Sequence, residues 1–511
     1  MKALEIDWLM GGIESRQRIV WANSSQIGNL SKLNYLDLAY NNLSGTIPSE
    51  LCFTKSLSFF SLGFNSISGS IPREIGRLSA VSIILFMSNN LTGSIPTEIS
   101  NLSKLNYLDL NRNNFLGSIP LVIGRLSSLS YLNLFQNNLT GTMPVSIGGL
   151  RNLSTLDLSS NHLTGHIPTE IFNLDLISLN LGDNKFNGSL PKEVGMLESL
   201  TELKLRNNSL YGHIPSHIGN LSRLTFLDLA HNVFSGNIPP EIGNHLTGPI
   251  PASIGNLSDL VYLYFYGNYL SGSIPNEIGL LKSLSTLQLL ENNLTGVIPS
   301  SIGNMTNLLS LLLDDNAISG PLPQTIGMLK SLNLLSLADN SISGSIPVSI
   351  GNLTSLSGLF LGGNSLSGHI TQTYSNFTDF QLSDNHLTGP LPENLCLGGV
   401  LTRLAVINNN LTGPMPSSLR DCKSLIRVRL EGNQFTGNIS DAFGIYPNLV
   451  YIGLSNNRFY GELSPKWGQC PNLTSLRISN NNITGKISLE LGLRTCNSVA
   501  GSRSLFESSN R

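Results

Sequence analysis

The sequence of 511 residues has few charges, few cysteines and no long apolar run. Charged residues make up 12% of the chain and the formal net charge is −2, so there is no electrostatic reason to expect a nucleic acid or an anionic membrane as partner. The richest apolar segment, Ala80 to Phe86, has seven residues, whereas a membrane-spanning helix needs roughly 20. Acidic and basic residues also interrupt residues 1–22, so we expect neither a signal peptide nor a membrane span in this chain.

Motifs for catalysis and for metal binding are missing as well. The eight histidines are scattered, and the sequence contains no H-E-x-x-H, no G-x-S-x-G and none of the kinase motifs. The nearest pair, His213 and His217, flanks a proline and has no third ligand beside it. We therefore predict a protein that is not an enzyme and has no catalytic residues, no cofactor and no metal site.

What the sequence has instead is one short pattern, copied many times. Residues Leu105 to Pro120 read LNYLDLNRNNFLGSIP: three leucines have the spacing L-x-x-L-x-L, Asn113 follows, and Gly-x-Ile-Pro closes the unit. This is the leucine-rich-repeat signature. Alternate side chains of an extended segment share a face, so Leu108 and Leu110 point inward together. One copy cannot bury its leucines alone, so the copies should stack, each strand pairing in parallel with the next.

The repeated asparagine gives the number and the spacing of the copies. It occurs twenty times between Asn41 and Asn481, and sixteen of the nineteen intervals are 24 residues long. The interval before Asn244 is only 12 residues, so one strand is missing there. We count nineteen complete repeats and one half repeat. We therefore predict a sheet that is interrupted or sheared between Leu229 and Leu263, with residues 238–259 in irregular or convex structure.

The predicted fold is an α/β leucine-rich-repeat solenoid, a curved right-handed superhelix with a parallel β-sheet on its concave side and short 3-10, helical or irregular segments on its convex side. We divide the chain into a degenerate N-terminal segment (1–23), a first block of repeats (24–243), a second block that begins with the half repeat (244–491) and a polar tail (492–511). The repeated asparagines should form a ladder, because buried amides need backbone partners in adjacent turns.

Binding residues are expected on the concave face, because its outward strand positions vary between repeats while packing fixes the other positions. One strand carries three tyrosines and a later strand carries two arginines. The candidate set is Tyr262, Tyr264, Tyr266, Phe226, Asp228, Gln288, Arg427 and Arg429. Exposed aromatic and arginine side chains are typical anchors of binding sites, although the same residues also occur as the solvated cover of a sheet.

Cysteines and glycosylation sequons add two covalent predictions. Five cysteines leave at least one unpaired; Cys396 and Cys422 are 26 residues apart, close to one repeat, so we expect a disulfide between neighbouring turns and no partner for Cys52. Nineteen N-x-S/T sequons argue for an extracellular origin, and the candidates that directly follow a ladder asparagine are Asn42, Asn90, Asn138, Asn293, Asn410 and Asn482. The repeat consensus itself contains NLT and NLS, so sequons would also recur without being used.

The closing part of the repeat carries a resemblance to a known family. The pattern L-S/T-G-x-I-P followed by x-x-I-G-x-L, which recurs through Asn41–Asn364, resembles the ectodomains of plant leucine-rich-repeat receptor-like kinases. The block Asp421–Gly485, in which Ser440 and Ser464 replace the usual proline, is most similar to the male-discoverer-interacting receptor-like kinases. The kinase and transmembrane parts of such receptors are absent from this sequence.

This resemblance implies an extracellular module at the plasma-membrane surface that binds a secreted peptide on its concave face and recruits a shorter leucine-rich-repeat co-receptor kinase. Several related receptors hold the terminal carboxylate of the ligand with an Arg-x-Arg pair, and Arg427-Val428-Arg429 matches that pattern. Alternatively, this pair serves the fold or the co-receptor contact. Two other functions stay open: a soluble leucine-rich-repeat protein that inhibits a secreted cell-wall-degrading enzyme, and a gene fragment without function. The number of repeats favours the receptor.

Overall fold

Stacked turns of one kind build the whole described part of the chain. The computed structural model describes residues 19–20, 30, 32–235, 249–370 and 377–486. The chain divides into two compact units, Met1–Leu260 and Val261–Arg511. In each unit the turns form a solenoid, in which every turn packs against the turn before it and the turn after it.

Each turn begins with a three-residue strand, which we call a main strand, centred on the second leucine of the L-x-x-L-x-L pattern. Successive main strands pair in parallel and without a shift, as Tyr107 with Tyr131 and Leu108 with Leu132 show. The described residues of the first unit contain nine: Tyr35–Asp37, Phe59–Ser61, Ile83–Leu85, Tyr107–Asp109, Tyr131–Asn133, Thr155–Asp157, Ser178–Asn180, Glu202–Lys204 and Phe226–Asp228. Those of the second contain ten: Tyr262–Tyr264, Thr286–Gln288, Ser310–Leu312, Leu334–Ser336, Gly358–Phe360, Asp379–Gln381, Arg403–Ala405, Arg427–Arg429, Tyr451–Gly453 and Ser475–Arg477.

A second set of short parallel strands, which we call side strands, pair with one another; all of them except the first, Ile19–Val20, follow a ladder asparagine. In the first unit they are Ile19–Val20, Leu43–Thr46, Ser66–Gly69, Asn90–Leu91, Thr164–His166, Lys185–Ser189, Ser209–Gly212 and Val233–Phe234. In the second unit they are Ser271–Ser273, Asn293–Thr295, Ser319–Pro321, Ser341–Ser345, Ser365–His369, His386–Gly389, Asn410–Gly413, Gln434–Asn438, Arg458–Glu462 and Asn482–Thr484.

Short helices complete most turns, on the side away from the main strands. Most begin directly after the proline of the closure, which has extended backbone and cannot continue a strand ladder. The 3-10 helices of the first unit are Ser49–Phe53, Arg73–Arg77, Thr97–Asn101, Ile123–Arg125, Val145–Gly149, Thr169–Asn173, Lys192–Met196, Ser216–Asn220 and Ala252–Asn256. Those of the second unit are Asn276–Leu280, Ser300–Asn304, Gln324–Met328, Val348–Asn352 and Pro465–Gln469, together with the α-helices Ser417–Arg420 and Ile439–Ala442.

The buried asparagines form the predicted ladder. Asn113 donates through Nδ2 to the carbonyl oxygen of Phe86 in the preceding turn (2.9 Å) and to that of Leu110 in its own turn (3.2 Å). Its Oδ1 accepts a hydrogen bond from the backbone N–H of Leu91 (3.0 Å). The amide thus replaces the strand hydrogen bonds where the chain leaves the main strand, which confirms the prediction.

The residue before each ladder asparagine turns the chain out of the main strand. It has positive φ in every described turn, for example 51° at Arg112 and 54° at Glu291. The N–H of Arg112 donates to the carbonyl oxygen of Phe135 in the next turn (2.8 Å), and the carbonyl of Arg112 accepts from Asn89 in the preceding turn (3.2 Å). Hydrogen bonds on both sides therefore hold a conformation that L-residues rarely adopt.

The cysteines occupy two different environments. A disulfide joins Cys396 to Cys422 on neighbouring turns, with their Cα atoms 5.9 Å apart, inside the range that such a bond spans. Cys52 is buried and has no disulfide partner among the described residues. Burial raises the pKa of the Cys52 thiol to about 12, so this side chain acts as a small apolar core residue.

The segment of the predicted half repeat is described only in part. Residues 236–248 lie outside the described residues, as do residues 1–18 and 487–511. From residue 249 the chain forms the 3-10 helix Ala252–Asn256, which packs on Ser216–Asn220, and Ser253 Oγ donates to the carbonyl oxygen of Ser216 (2.6 Å). This part of residues 238–259 is convex, as expected. The interruption of the sheet itself stays a prediction.

Candidate functional site

The outward side chains of the main strands form straight rows that run from strand to strand, because the strands pair without a shift. Tyr262 lies opposite Thr286 and Tyr264 opposite Gln288 on adjacent strands. Adjacent strands are about 4.8 Å apart. Outward residues one repeat apart therefore lie side by side on a surface that we call the strand face.

Three tyrosines occupy successive outward positions at the start of the second unit. Tyr262 is exposed, and Tyr264 and Tyr266 are half-buried. The ring centroids of Tyr262 and Tyr264 are 6.2 Å apart, and those of Tyr264 and Tyr266 are 6.4 Å apart with the rings inclined by 63°. Gln288, also half-buried, lies beside this column. The arrangement is an aromatic surface along one strand, bordered by an amide.

Phe226 and Asp228 lie on the last main strand among the described residues of the first unit. Lys204 Nζ is 4.8 Å from the centroid of the Phe226 ring, a cation–π distance. Asp228 is only 5% exposed, and its Oδ1 accepts a hydrogen bond from the N–H of Ala230 (3.1 Å). Burial raises the pKa of the Asp228 carboxyl. Its carboxylate therefore supports the turn and offers little surface to a ligand, unlike the exposed position that we expected.

The two predicted arginines belong to a larger group of side chains around Tyr451. The guanidinium carbon of Arg427 is 4.8 Å from the Tyr451 ring centroid, that of Arg429 is 5.9 Å away and that of Arg477 is 5.6 Å away. Arg427 and Arg429 lie on the strand before Tyr451, and Arg477 lies on the strand after it. We call Tyr451 with these three arginines the tyrosine cage.

Glu431 holds one side of the tyrosine cage. Its Oε1 accepts a hydrogen bond from the Tyr451 hydroxyl (2.9 Å) and lies 3.7 Å from Arg429 Nε. Burial, followed by the hydrogen bond to Glu431, raises the pKa of the Tyr451 hydroxyl. Arg429 Nε and Glu431 Oε2 are buried without a hydrogen-bond partner among the described residues. Gly453 leaves the room for this carboxylate, since a Cβ there would lie 1.9 Å from Glu431 Oε1.

Sequence reasoning missed Tyr451, Glu431 and Arg477. A signal was present: Tyr451 occupies the outward position of Arg427 one repeat later, and Arg477 that of Arg429 two repeats later. Sequence reasoning also missed aromatic rings that stack across neighbouring main strands of the first unit. There the rings of Tyr107 and Tyr131 stack at 3.9 Å between centroids, and Tyr35 and Phe59 stack at 4.2 Å.

Acidic side chains occupy four of the positive-φ positions that precede ladder asparagines in the described part of the second unit. Glu291, Asp315, Asp339 and Asp384 are exposed, and none of them lies within 4.0 Å of a basic side chain in the described part of the chain. Partial desolvation of the Asp339 carboxyl, and then the negative charges of Asp315 and Asp384, raise its pKa. The strand face of the second unit is thus acidic in its middle turns and basic at the tyrosine cage.

The sequon asparagines that follow ladder asparagines lie at or in the side strands or in the corresponding turns. All six are exposed: Asn42, Asn90, Asn138, Asn293, Asn410 and Asn482. Because they lie beyond the ladder asparagines, they are displaced from the strand face. Their use for glycosylation stays a prediction.

Sequence and structure comparisons identify the class of protein. The leucine-rich repeat region profile matches residues 250–487, and the leucine rich repeat profile matches six further segments, from 32–53 to 223–245. A search among curated protein sequences finds no match. None of the described helices has the length and apolarity needed to span a lipid bilayer. The chain is a leucine-rich-repeat protein.

Comparison with solved structures identifies the family within this class of proteins. The chain is similar to the plant peptide hormone receptor RGFR1 in complex with RGF2, with 37% identity over 92% of this chain and 74% of that one, and a TM-score of 0.87. It is similar to the Arabidopsis receptor kinase HAESA in complex with the peptide hormone IDA and the co-receptor SERK1 (35% identity, 91% and 72% coverage, TM-score 0.78). It is also similar to PEPR1 in its structure with AtPEP1 (33% identity, 90% and 70% coverage, TM-score 0.77). The chain belongs to the leucine-rich-repeat ectodomains of plant receptor kinases.

Proposed function

We propose that this chain is the peptide-binding module of a plant cell-surface receptor, outside the plasma membrane, and that it acts by binding without catalysis. Support comes from the receptors to which it is similar, whose structures contain peptide hormones. Within this family we propose membership of the male-discoverer-interacting branch, on the Asp421–Gly485 block. A co-receptor kinase would join the complex, as SERK1 does with HAESA.

The ligand proposed is an extended peptide on the strand face of the second unit. The observation that carries this proposal is the presence of aromatic and cationic anchors on one sheet, at a separation set by the stacking of turns. Seven inter-strand steps of about 4.8 Å, roughly 34 Å, separate the strand of Tyr262 from that of Arg427. An extended chain covers about 3.3–3.6 Å per residue, so about ten residues reach from one anchor to the other.

The charged side chains on the strand face of the second unit determine which end of the peptide lies at which anchor. Arg427 and Arg429 would hold the C-terminal carboxylate through charge-assisted hydrogen bonds. The aromatic column of Tyr262, Tyr264 and Tyr266 would pack against side chains nearer the N-terminus. The acidic positions between the two anchors, among them Asp315 and Asp339, favour basic side chains in the middle of the ligand.

The proposal is tested with the full chain, secreted from a plant or insect host behind an added signal sequence. Binding of pools of synthetic peptides is compared between the wild type, a Tyr264→Ala/Tyr266→Ala variant and an Arg427→Ala/Arg429→Ala variant. We expect each double variant to lose about tenfold or more in affinity, since an anchor residue contributes about 1.4 kcal/mol or more.

Matched control variants are Tyr460→Ala and Arg458→Ala, because both side chains are exposed on a side strand away from the strand face. The controls should bind as the wild type does. Undiminished binding in both double variants would contradict the assigned face. Binding to a secreted cell-wall-degrading enzyme, and to no peptide, would show that the inhibitor function is correct instead.

A further inference from the structure

The tyrosine cage gathers more positive charge than one carboxylate needs. Arg427, Arg429 and Arg477 all lie within 6 Å of the centroid of one ring. An aromatic ring has two faces that attract cations, and like charges repel one another around it. Attraction to Tyr451 therefore accounts for two of the three guanidinium groups and leaves the third unexplained.

The charges inside the cage do not balance. Glu431 is the acidic residue of this group, and it is already engaged by the Tyr451 hydroxyl and by Arg429. Arg427 and Arg477 have no acidic side chain within 4.0 Å in the described part of the chain. Three guanidinium groups against one carboxylate leave two positive charges without a counterion.

The geometry separates these two charges across the ring. Arg427 belongs to the turn before Tyr451 and Arg477 to the turn after it, so their strands lie about 10 Å apart. Arg477 is in register with Arg429, so it is also displaced from Arg427 by two residues along the strand. A single carboxylate that is held by Arg427 and Arg429 leaves Arg477 unpaired. A second anionic group a few bonds away from the first would reach it.

We propose that the tyrosine cage selects ligands whose C-terminal residue is aspartate or glutamate. The α-carboxylate would pair with Arg427 and Arg429, and the side-chain carboxylate would pair with Arg477. Glu431 is a positioning residue, which holds the Tyr451 hydroxyl and lies beside Arg429. This inference rests on the proposed function and specifies the end of the peptide that it predicts.

The experiment uses the secreted full chain and pools of synthetic peptides that are long enough to span from the tyrosine column to the cage. The pools are random except at the last position, which is aspartate or glutamate in one pool and asparagine or glutamine in the other. Each pool is made once with a free terminal carboxylate and once with an amidated terminus. Wild-type protein should retain the acid-ended free-carboxylate pool about tenfold more than the amide-side-chain pool, the effect of one charge-assisted contact.

Arg477→Ala should abolish this tenfold ratio but keep the preference for a free over an amidated terminus. Arg477→Lys should restore part of the ratio, and Arg458→Ala should leave it unchanged. Arg427→Ala/Arg429→Ala should lose the preference for the free terminus. Far-ultraviolet circular dichroism checks that each variant is folded.

The outcomes separate the two proposals. An unchanged ratio in Arg477→Ala, or a wild-type preference for free termini without any preference for an acidic last residue, overturns the selection of acidic ends and leaves the peptide-binding proposal standing. Retention of no pool by the folded wild-type protein overturns both.

Discussion

At the scale of single residues, the ladder asparagines are the polar side chains on which the stacking depends. We expect Asn113→Ala to lower the free energy of unfolding by about 2–4 kcal/mol. The variant leaves the N–H of Leu91 buried without a partner, at about 1–3 kcal/mol, and the carbonyl of Phe86 keeps only the longer of its two amide hydrogen bonds, the one from Asn89 (3.3 Å). Urea unfolding followed by circular dichroism measures the change. The exposed neighbour Asn114 supplies the control, and Asn114→Ala should shift the midpoint little. Equal midpoints for both variants would contradict the role of the ladder.

A second residue, Asp314, links stability to pH. Its Oδ1 accepts hydrogen bonds from Ser336 Oγ and from the N–H of Ala338 (3.1 Å), yet burial outweighs them and raises the pKa of the carboxyl. The stabilisation from this group is complete below the unfolded-state value of about 3.9 and is lost as the pH rises through the raised folded value. Asn keeps both acceptor contacts but does not ionise. The advantage of Asp314→Asn over the wild type should therefore grow as the pH rises above about 4.

Urea midpoints for Asp314→Asn and the wild type, measured across that pH range, give this difference. Glu198→Gln, at an exposed position, controls for the loss of one acidic group. A difference that stays constant with pH would mean that burial of Asp314 does not shift its titration.

At the scale of elements, many of the 3-10 helices stack so closely on the next turn that one position in them has no room for a side chain. A Cβ on Gly303 would lie 2.4 Å from the carbonyl oxygen of Thr325 in the next turn, a backbone atom that cannot move aside. Alanine would be favoured over glycine by helix propensity alone. We expect the clash to prevail, so that Gly303→Ala lowers the free energy of unfolding by about 1–3 kcal/mol. Thermal unfolding compares it with Ser300→Ala, an exposed site in the same helix; a Gly303→Ala variant that is as stable as that control would contradict the close packing.

The elements also show how far sequence reasoning reaches. Main strands, ladder and closure follow from spacing within one repeat, because each turn packs only against its neighbours. The positive-φ positions carried only a partial signal. Many of them are Gly, Asn or Asp, which favour this conformation, but hydrogen bonds from both neighbouring turns also hold Tyr40, Arg112 and Glu291 there. The sequence predicted only part of the tyrosine cage. Arg427 and Arg429 are two residues apart in sequence, whereas Arg477 approaches the same ring only because three successive turns stack in register.

At the scale of the whole molecule, each repeat adds one turn to the stack, so the number of repeats between two residues sets the distance between them. If the tyrosine column and the tyrosine cage hold the two ends of one peptide, the number of turns between them sets the length of the peptide. Deleting residues 325–348 removes one period of 24 residues and joins Gln324 to Ser349, which keeps the P-x-x-I-G pattern. The two anchors then approach by about 4.8 Å, and the preferred peptide should shorten by one or two residues at about 3.3 Å per residue.

Calorimetric titration with peptides that share both ends and differ in the number of central residues measures the preferred length. The control deletes residues 122–145, also 24 residues, in the first unit, and joins Leu121 to Ser146 with the same pattern kept. That variant loses a turn outside the interval between the anchors, so its preferred length should equal that of the wild type. A shorter optimum only in the first deletion would show that both anchors hold the peptide at once. The same optimum in both deletions, with affinity retained, would mean that one anchor suffices and that the strand face of the second unit does not measure its ligand.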